Sequence, residues 1–303
     1  MKIKILPITL LLLAPLSVAA QDVIGEESGI GMLFSGIVRD PVSLATGGAA
    51  AISDGNGAYA SFCNPTAIMT GERLQAGVSY MKRLPYEATV SRGINTGVSF
   101  RFNKVFGASL GFASDWSPAY DITDAYGNKT GQSFSPRNTV INGGFSVRIL
   151  EKIDLGANLR YMSQSLNPGF KGNALSSDIF AAYTLKDFRF TAGVSNIKLS
   201  GEERLPSSAA AGIRYSHLFG LHRIAAYGEF DRYFKTASRG SLGASYTFRD
   251  LVTVRTGYCL CGNNAPYSSF FSVGLGLKFR FICLDAVYLP KEGSFCTGIR
   301  FVL

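Results

Sequence analysis

The chain has 303 residues, 47% of them hydrophobic and 12% aromatic, with 34 glycines, two histidines and a formal net charge of +9. Two histidines, at 217 and 222 in one short stretch, leave little material for histidine-dependent acid–base or nucleophilic catalysis. Beyond its first residues the chain never gathers roughly 20 consecutive apolar residues, which excludes a membrane-spanning helix.

At the start of the chain, Lys2 and Lys4 precede an apolar run from Ile5 to Leu16, and small residues follow up to Ala20. A basic head, an apolar middle and a small-residue end describe a secretory signal over residues 1–20. The absence of a cysteine at that cleavage point argues against a lipid anchor. Residues 21–73 follow as an N-terminal periplasmic or plug segment. Within them, residues 47–66 read GGAAAISDGNGAYASFCNPT, too rich in glycine for a stable helix and too apolar for a solvated linker.

From Leu74 onward the pattern has period two. Ile153, Leu155, Ala157, Leu159 and Tyr161 alternate with Asp154, Gly156, Asn158 and Arg160, and Phe271, Val273, Leu275 and Leu277 alternate with Ser272, Gly274 and Gly276. One face is apolar while the other is small or charged. Strands are expected at 74–83, 94–103, 106–114, 139–149, 153–163, 177–186, 188–195, 207–216, 222–230, 238–248, 251–259, 268–279, 281–289 and 293–303. Short turns, such as Asn103 with Lys104, Lys186 with Asp187 and Arg249 with Asp250, alternate with longer connections, the longest spanning 115–138. An all-β fold results: an antiparallel transmembrane β-barrel of about 14 strands over residues 74–303, with a lumen plug ahead of it. Short turns belong on the periplasmic side and long loops outside, so the expected location is the cell outer membrane. Tyr80, Tyr161, Tyr183, Tyr215, Tyr258 and Tyr288 fall on the apolar phase near strand ends, as interfacial girdles do. The chain stops within the last strand, with Phe301 third from the end.

Polar side chains on the lumen phase are the candidates for function. Arg101, Arg148, Arg189, Arg214, Lys278 and Arg300 lie near the periplasmic strand ends and are expected to form a basic ring at the inner mouth. Such a ring either pairs with lumen carboxylates and plug carbonyls or attracts acidic ligands. Glu229 and Asp231 share a strand face, and their expected role is to balance arginines rather than to catalyse. Of five cysteines, Cys259 and Cys261 form a single C-x-C without a second pair, which does not make a zinc site. No catalytic residue, metal, cofactor or nucleic-acid partner is expected.

The run Ala45 to Asp54, with Gly47, Gly48, Ala49 and Asp54, followed by Asn64 and Pro65 just before the first strand, resembles the plug motif of the FadL-like barrel superfamily. The chain's size makes it look more like the PorV/PorQ family of Bacteroidota within that group. This resemblance implies a non-enzymatic outer-membrane barrel, contacting outer-membrane lipids, that acts as an accessory subunit in protein secretion, surface attachment or outer-membrane protein assembly. Its partners would be other outer-membrane or periplasmic proteins. The transporter branch implies the alternative, a passive channel for hydrophobic or amphipathic small molecules.

Overall fold

The computed structural model describes residues 31–52, 56–83, 91–234, 237–263, 265 and 267–303. The expected signal at 1–20, residues 21–30 and the motif residue Asp54 lie outside them.

Fourteen antiparallel strands close into one barrel. In chain order they are β1 (Leu74–Arg83), β2 (Ser91–Arg101), β3 (Phe106–Trp116), β6 (Arg137–Leu150), β7 (Ile153–Asn167), β8 (Phe170–Leu185), β9 (Phe188–Gly201), β10 (Ser208–Phe219), β11 (His222–Tyr233), β12 (Ser238–Phe248), β13 (Val252–Cys261), β14 (Phe270–Phe279), β15 (Ile282–Leu289) and β16 (Ser294–Val302). A separate hairpin of β4 (Tyr120–Thr123) and β5 (Lys129–Phe134) occupies the longest loop. Closure comes from β1 pairing with β16, where Val78 faces Ile299 and Tyr80 faces Thr297. A closed ring leaves no unpaired strand edge in lipid, which is the condition for strands to cross a membrane.

The period-two pattern becomes an apolar outside and a polar inside. Leu110, Leu159 and Leu242 are 65%, 51% and 68% exposed on the outer wall, whereas lumen-facing Asn142, Asp154 and Asp178 are each 1% exposed. Tyr161, Tyr258 and Tyr288 point outward, and Phe188 packs on Tyr215 with ring centroids 5.0 Å apart near the turn end of the wall. This outer-membrane barrel carries its greasy surface toward lipid because no other phase of its strands can.

Tight turns gather at one end. Lys186, Arg249, Asp250 and Arg280 take positive φ there, as two-residue hairpin turns require. At the other end the structure corrects two expected connections. The loop expected at 164–176 is absent: β7 and β8 run on to a turn at Pro168 and Gly169, with Asn167 opposite Phe170. The expected loop at 115–138 contains β4 and β5, and Asp115 and Trp116 belong to β3. Both differences have one cause, since strands that extend beyond the apolar layer are polar on both faces and lose the alternating signal.

A third correction is at β9, which runs to Gly201 rather than 195. The β8–β9 register shifts between Ser177 and Ile179, and Asn196 there has φ +56°. A bulge inserts a residue and moves the lumen phase from odd to even positions, so simple alternation stops while the strand does not.

Residues 32–52 and 56–70 lie within the barrel. A one-turn helix α1 (Pro41–Ala45) packs on β13 to β16, and 3₁₀ segments Asn56–Phe62 and Pro65–Met69 pack on β1, β2, β3 and β6 to β8.

Candidate functional site

The lumen is built around this inner segment, and wall and segment satisfy one another. α1 begins where Asp40 accepts from the backbone N–H of Val42 and Ser43, both at 3.1 Å, and from the Ser43 hydroxyl at 2.6 Å, with Pro41 at the first helical position. Burial pushes the Asp40 carboxyl up, against the pull of Arg300, Ser43 and the Val42 N–H. Asp40→Ala is expected to cost about 1 kcal/mol in the denaturant midpoint, with Asp40→Asn nearly neutral because asparagine caps equally well. An equal loss in both variants would mean that the charge, not the cap, matters.

Beyond α1 the chain turns through Gly47 and Gly48 at φ +74° and +80°. Gly47 touches the wall where almost nothing else fits: a Cβ would lie 2.7 Å from the carbonyl oxygens of Leu242 and Tyr258. The Gly47 N–H donates to Ser272 Oγ at 3.3 Å. Ala49 is fully buried with Ile52, Ala225 and Tyr227. Asn64 caps the last 3₁₀ segment, accepting from Thr66 N–H at 2.9 Å and Thr66 Oγ1 at 2.8 Å, and its amide donates to the Ala51 carbonyl at 2.7 Å. Pro65 is the first residue of that segment and lies against Gly156. Of the expected motif, then, Gly47, Gly48, Ala49 and Pro65 lie against the wall, whereas Asn64 ties the inner segment to itself.

The six expected ring residues divide by surroundings. Arg101 and Arg148 both donate to the Met69 carbonyl, at 3.1 and 2.9 Å, and Arg148 also pairs with Asp154 at 2.7 Å. Arg189 pairs with Asp154 at 3.2 Å and donates to the Thr66 carbonyl at 3.2 Å. Arg300 pairs with Asp285 at 2.8 Å. Arg214 and the exposed Lys278 line a cavity of about 450 Å³ at the turn end, together with Arg223, Arg255, Glu72 and Asp250. The first three therefore hold the end of the inner segment, while the others surround an aqueous inner mouth.

Sequence reasoning missed most of the buried charge pairs further out. Arg39, on the segment itself, pairs with Asp115 at 2.9 Å and donates to Asn95 Oδ1 at 2.8 Å and the Phe34 carbonyl at 2.9 Å. Arg160 pairs with Asp178 at 2.6 Å and donates to the Phe62 carbonyl at 3.1 Å. Glu229 accepts from the Ala51 N–H at 2.8 Å, and Arg239 pairs with both Glu229 and Asp231, at 3.4 and 2.9 Å. Their signal was present in the sequence: each wall residue here sits on the lumen phase, where an uncompensated charge would be expensive. The two histidines lie at the turn end, His217 against Asp187 and His222 against the Tyr246 hydroxyl at 2.7 Å.

A second cavity, about 510 Å³, opens at the loop end. Ile37, Val38, Leu44, Met81, Phe270 and Leu289 form its apolar wall, and Arg83, Lys291, Glu292 and Tyr267 stand around it. The Tyr267 hydroxyl donates to the Leu33 carbonyl at 2.9 Å, and burial pushes that phenol up to about 12, so it remains a neutral donor. Gly36, Ile37, Val38 and Arg239 are shared with a narrower space of about 70 Å³ that continues between segment and wall toward Ala51 and Phe180. An apolar basin outside, a filled waist and a basic aqueous mouth inside succeed one another along the axis.

Among solved structures, the fold is similar to the toluene transporter TbuX of Ralstonia pickettii, with a TM-score of 0.62 at 12% identity over 86% of this chain and 97% of that one. It is also similar to the toluene transporter TodX of Pseudomonas putida, with a TM-score of 0.57 at 12% identity over 90% of this chain and 98% of that one. No protein-family model and no curated protein sequence matches the chain. At this identity the likeness establishes the architecture alone, a closed antiparallel barrel of fourteen strands.

Proposed function

We propose that the protein is a passive entry route through the outer membrane for a hydrophobic or amphipathic small molecule. The observation that carries this reading is the apolar cavity of about 510 Å³ at the outer mouth, floored by Ile37, Val38 and Leu44 of the plug itself. A concave site that joins an apolar wall to polar groups able to orient a ligand is the usual form of a small-molecule site, and Arg83, Lys291, Glu292 and Tyr267 supply the polar part here. Because its floor belongs to the plug, a molecule that fills it presses on the element that closes the lumen.

The likeness of the fold to the toluene transporters TbuX and TodX supports the same choice. The accessory role in secretion, attachment or assembly that the PorV/PorQ resemblance implies receives no such support, and neither do protein partners of that kind. In the transport reading, Arg214 and Lys278 at the inner mouth draw an acidic solute toward the periplasm, and residues 47–65 act as the plug.

The test is uptake by cells with an intact outer membrane, using radiolabelled aromatic hydrocarbons and medium-chain carboxylates. Cells carrying the protein are expected to take up at least one class faster than cells without it. Val38→Trp, which fills the cavity from the plug side, is expected to lower that uptake about tenfold, a change worth 1.4 kcal/mol. Uptake that is indifferent to the protein for both classes would overturn the reading. In that case, a stoichiometric protein partner in mild detergent would revive the accessory role.

A further inference from the structure

The outer end of β13 holds two thiols that transport does not use. Its lumen-facing positions run Arg255, Gly257, Cys259, Cys261, so both cysteines project from one face at the last turn of the pleat. Their sulfurs stand 3.7 Å apart, in contact but unbonded. Cys259 is fully buried, with the Ser241 hydroxyl 4.0 Å from its sulfur, and it lines the outer cavity. Cys261 is half-buried, and Ser269 holds its backbone from both sides: the Cys261 N–H donates to Ser269 Oγ at 2.8 Å, and that hydroxyl donates back to the Cys261 carbonyl at 3.4 Å.

This geometry suits an inserted ion better than a bond. Positions two apart on a strand have Cα atoms about 6.6 Å from each other, at the long limit of what a disulfide spans. Two collinear metal–sulfur bonds of about 2.3 Å each need sulfurs about 4.6 Å apart, which a small rotation of either side chain supplies. Tetrahedral zinc needs four donors, and among the described residues no group of three or more His, Cys, Asp or Glu is placed to hold a metal. Thiolate pairs select soft ions instead.

We propose that Cys259 and Cys261 form a two-coordinate site for a soft monovalent cation of the Cu(I) and Ag(I) class at the outer mouth. On binding, each thiol releases its proton to water and gives a sulfur lone pair to the metal, so one ion displaces two protons and the bis-thiolate complex carries one negative charge. Arg239, already paired with Glu229 and Asp231, is the cross-strand partner of Cys261 and places a cation beside the site. The Cys261 sulfur already points at the Ser268 carbonyl, 3.5 Å away. The site thus adjoins the loop whose Tyr267 reaches the head of the plug, and a bound ion stiffens that corner. The proposal does not depend on what the cavity admits.

Silver(I) is the probe, because it is soft and redox-inert. Anaerobically reduced protein in detergent is titrated, with stoichiometry read by native mass spectrometry and binding by thiolate-to-metal ultraviolet absorption. One tight equivalent is expected, lost in Cys259→Ser and in Cys261→Ser, and retained when Cys63, Cys283 and Cys296 are replaced singly by alanine. Heat-modifiable gel migration identifies folded variants. On the wild type, peptide-resolved alkylation reads the site without any variant: silver is expected to protect Cys261 at one equivalent. Retention of the tight equivalent in both serine variants, or alkylation of Cys261 unchanged by silver, would overturn the proposal. So would a Cys259–Cys261 disulfide in the protein as isolated.

Discussion

Gly257→Val is expected to yield a folded barrel whose plug no longer seats. A Cβ at Gly257 would collide with the backbone of Thr46 and Gly47, and one at neighbouring Gly243 would lie 2.6 Å from the Thr46 carbonyl oxygen. Neither the plug nor the wall can yield easily there, because Gly47 itself lies against the backbone of Leu242 and Tyr258. Overpacking of this kind costs about 1 to 3 kcal/mol, far less than closing the barrel gains but comparable with what holds one turn of plug. Residues 31–73 are therefore expected to become sensitive to protease in the intact barrel, and ionic conductance in planar bilayers to rise well above the wild-type level. Gly240→Ala on the adjacent strand is the matched control, since a Cβ there meets nothing within 4 Å. If Gly257→Val stayed protease-resistant and closed, the seal would have to lie elsewhere than at this contact.

The barrel was legible because a wall one residue thick, with lipid outside and a polar lumen inside, imposes a strict alternation that nothing else in the chain can mimic. Asp154, Asn158 and Arg160 against Leu155 and Leu159 already told inside from outside. Legibility ended where the physics changed. Strands β7 and β8 outrun the apolar layer, and the bulge at Asn196 reverses the phase of β9. The plug shows the same division. Its glycines signalled close approach to something, yet which wall they meet depends on the register of β12 and β13 and is not local information. The outer cavity was invisible for a similar reason: Val38, Met81, Phe270 and Leu289 are unremarkable apolar residues until closure of the barrel sets them around one space. Single charged residues on the lumen phase could be listed from the sequence. Their partners could not, because Arg39 and Asp115 are joined only when the plug enters the lumen.

Asp178→Ala is expected to be strongly destabilising. Asp178 accepts from Arg160 at 2.6 Å and from the Asn196 N–H at 2.7 Å, and Arg160 in turn donates to Asn196 Oδ1 at 2.5 Å and to the Phe62 carbonyl at 3.1 Å. Asp178 therefore compensates a buried guanidinium, satisfies the backbone of a bulged residue with positive φ, and through Arg160 fixes the plug at Phe62. Removing one partner of a buried pair costs about 3 to 5 kcal/mol, because the remaining charge stays where water cannot reach it. Loss of about that size is expected in the denaturant midpoint, read by heat-modifiable migration. Replacing both residues, as Arg160→Leu with Asp178→Leu, is expected to recover much of it, since the largest cost is the uncompensated charge. What the double variant should not recover is plug retention, because the Phe62 carbonyl has lost its donor. A double variant as unstable as Asp178→Ala would instead place the cost in the Asn196 bulge, and the pair would then matter chiefly for shaping β9.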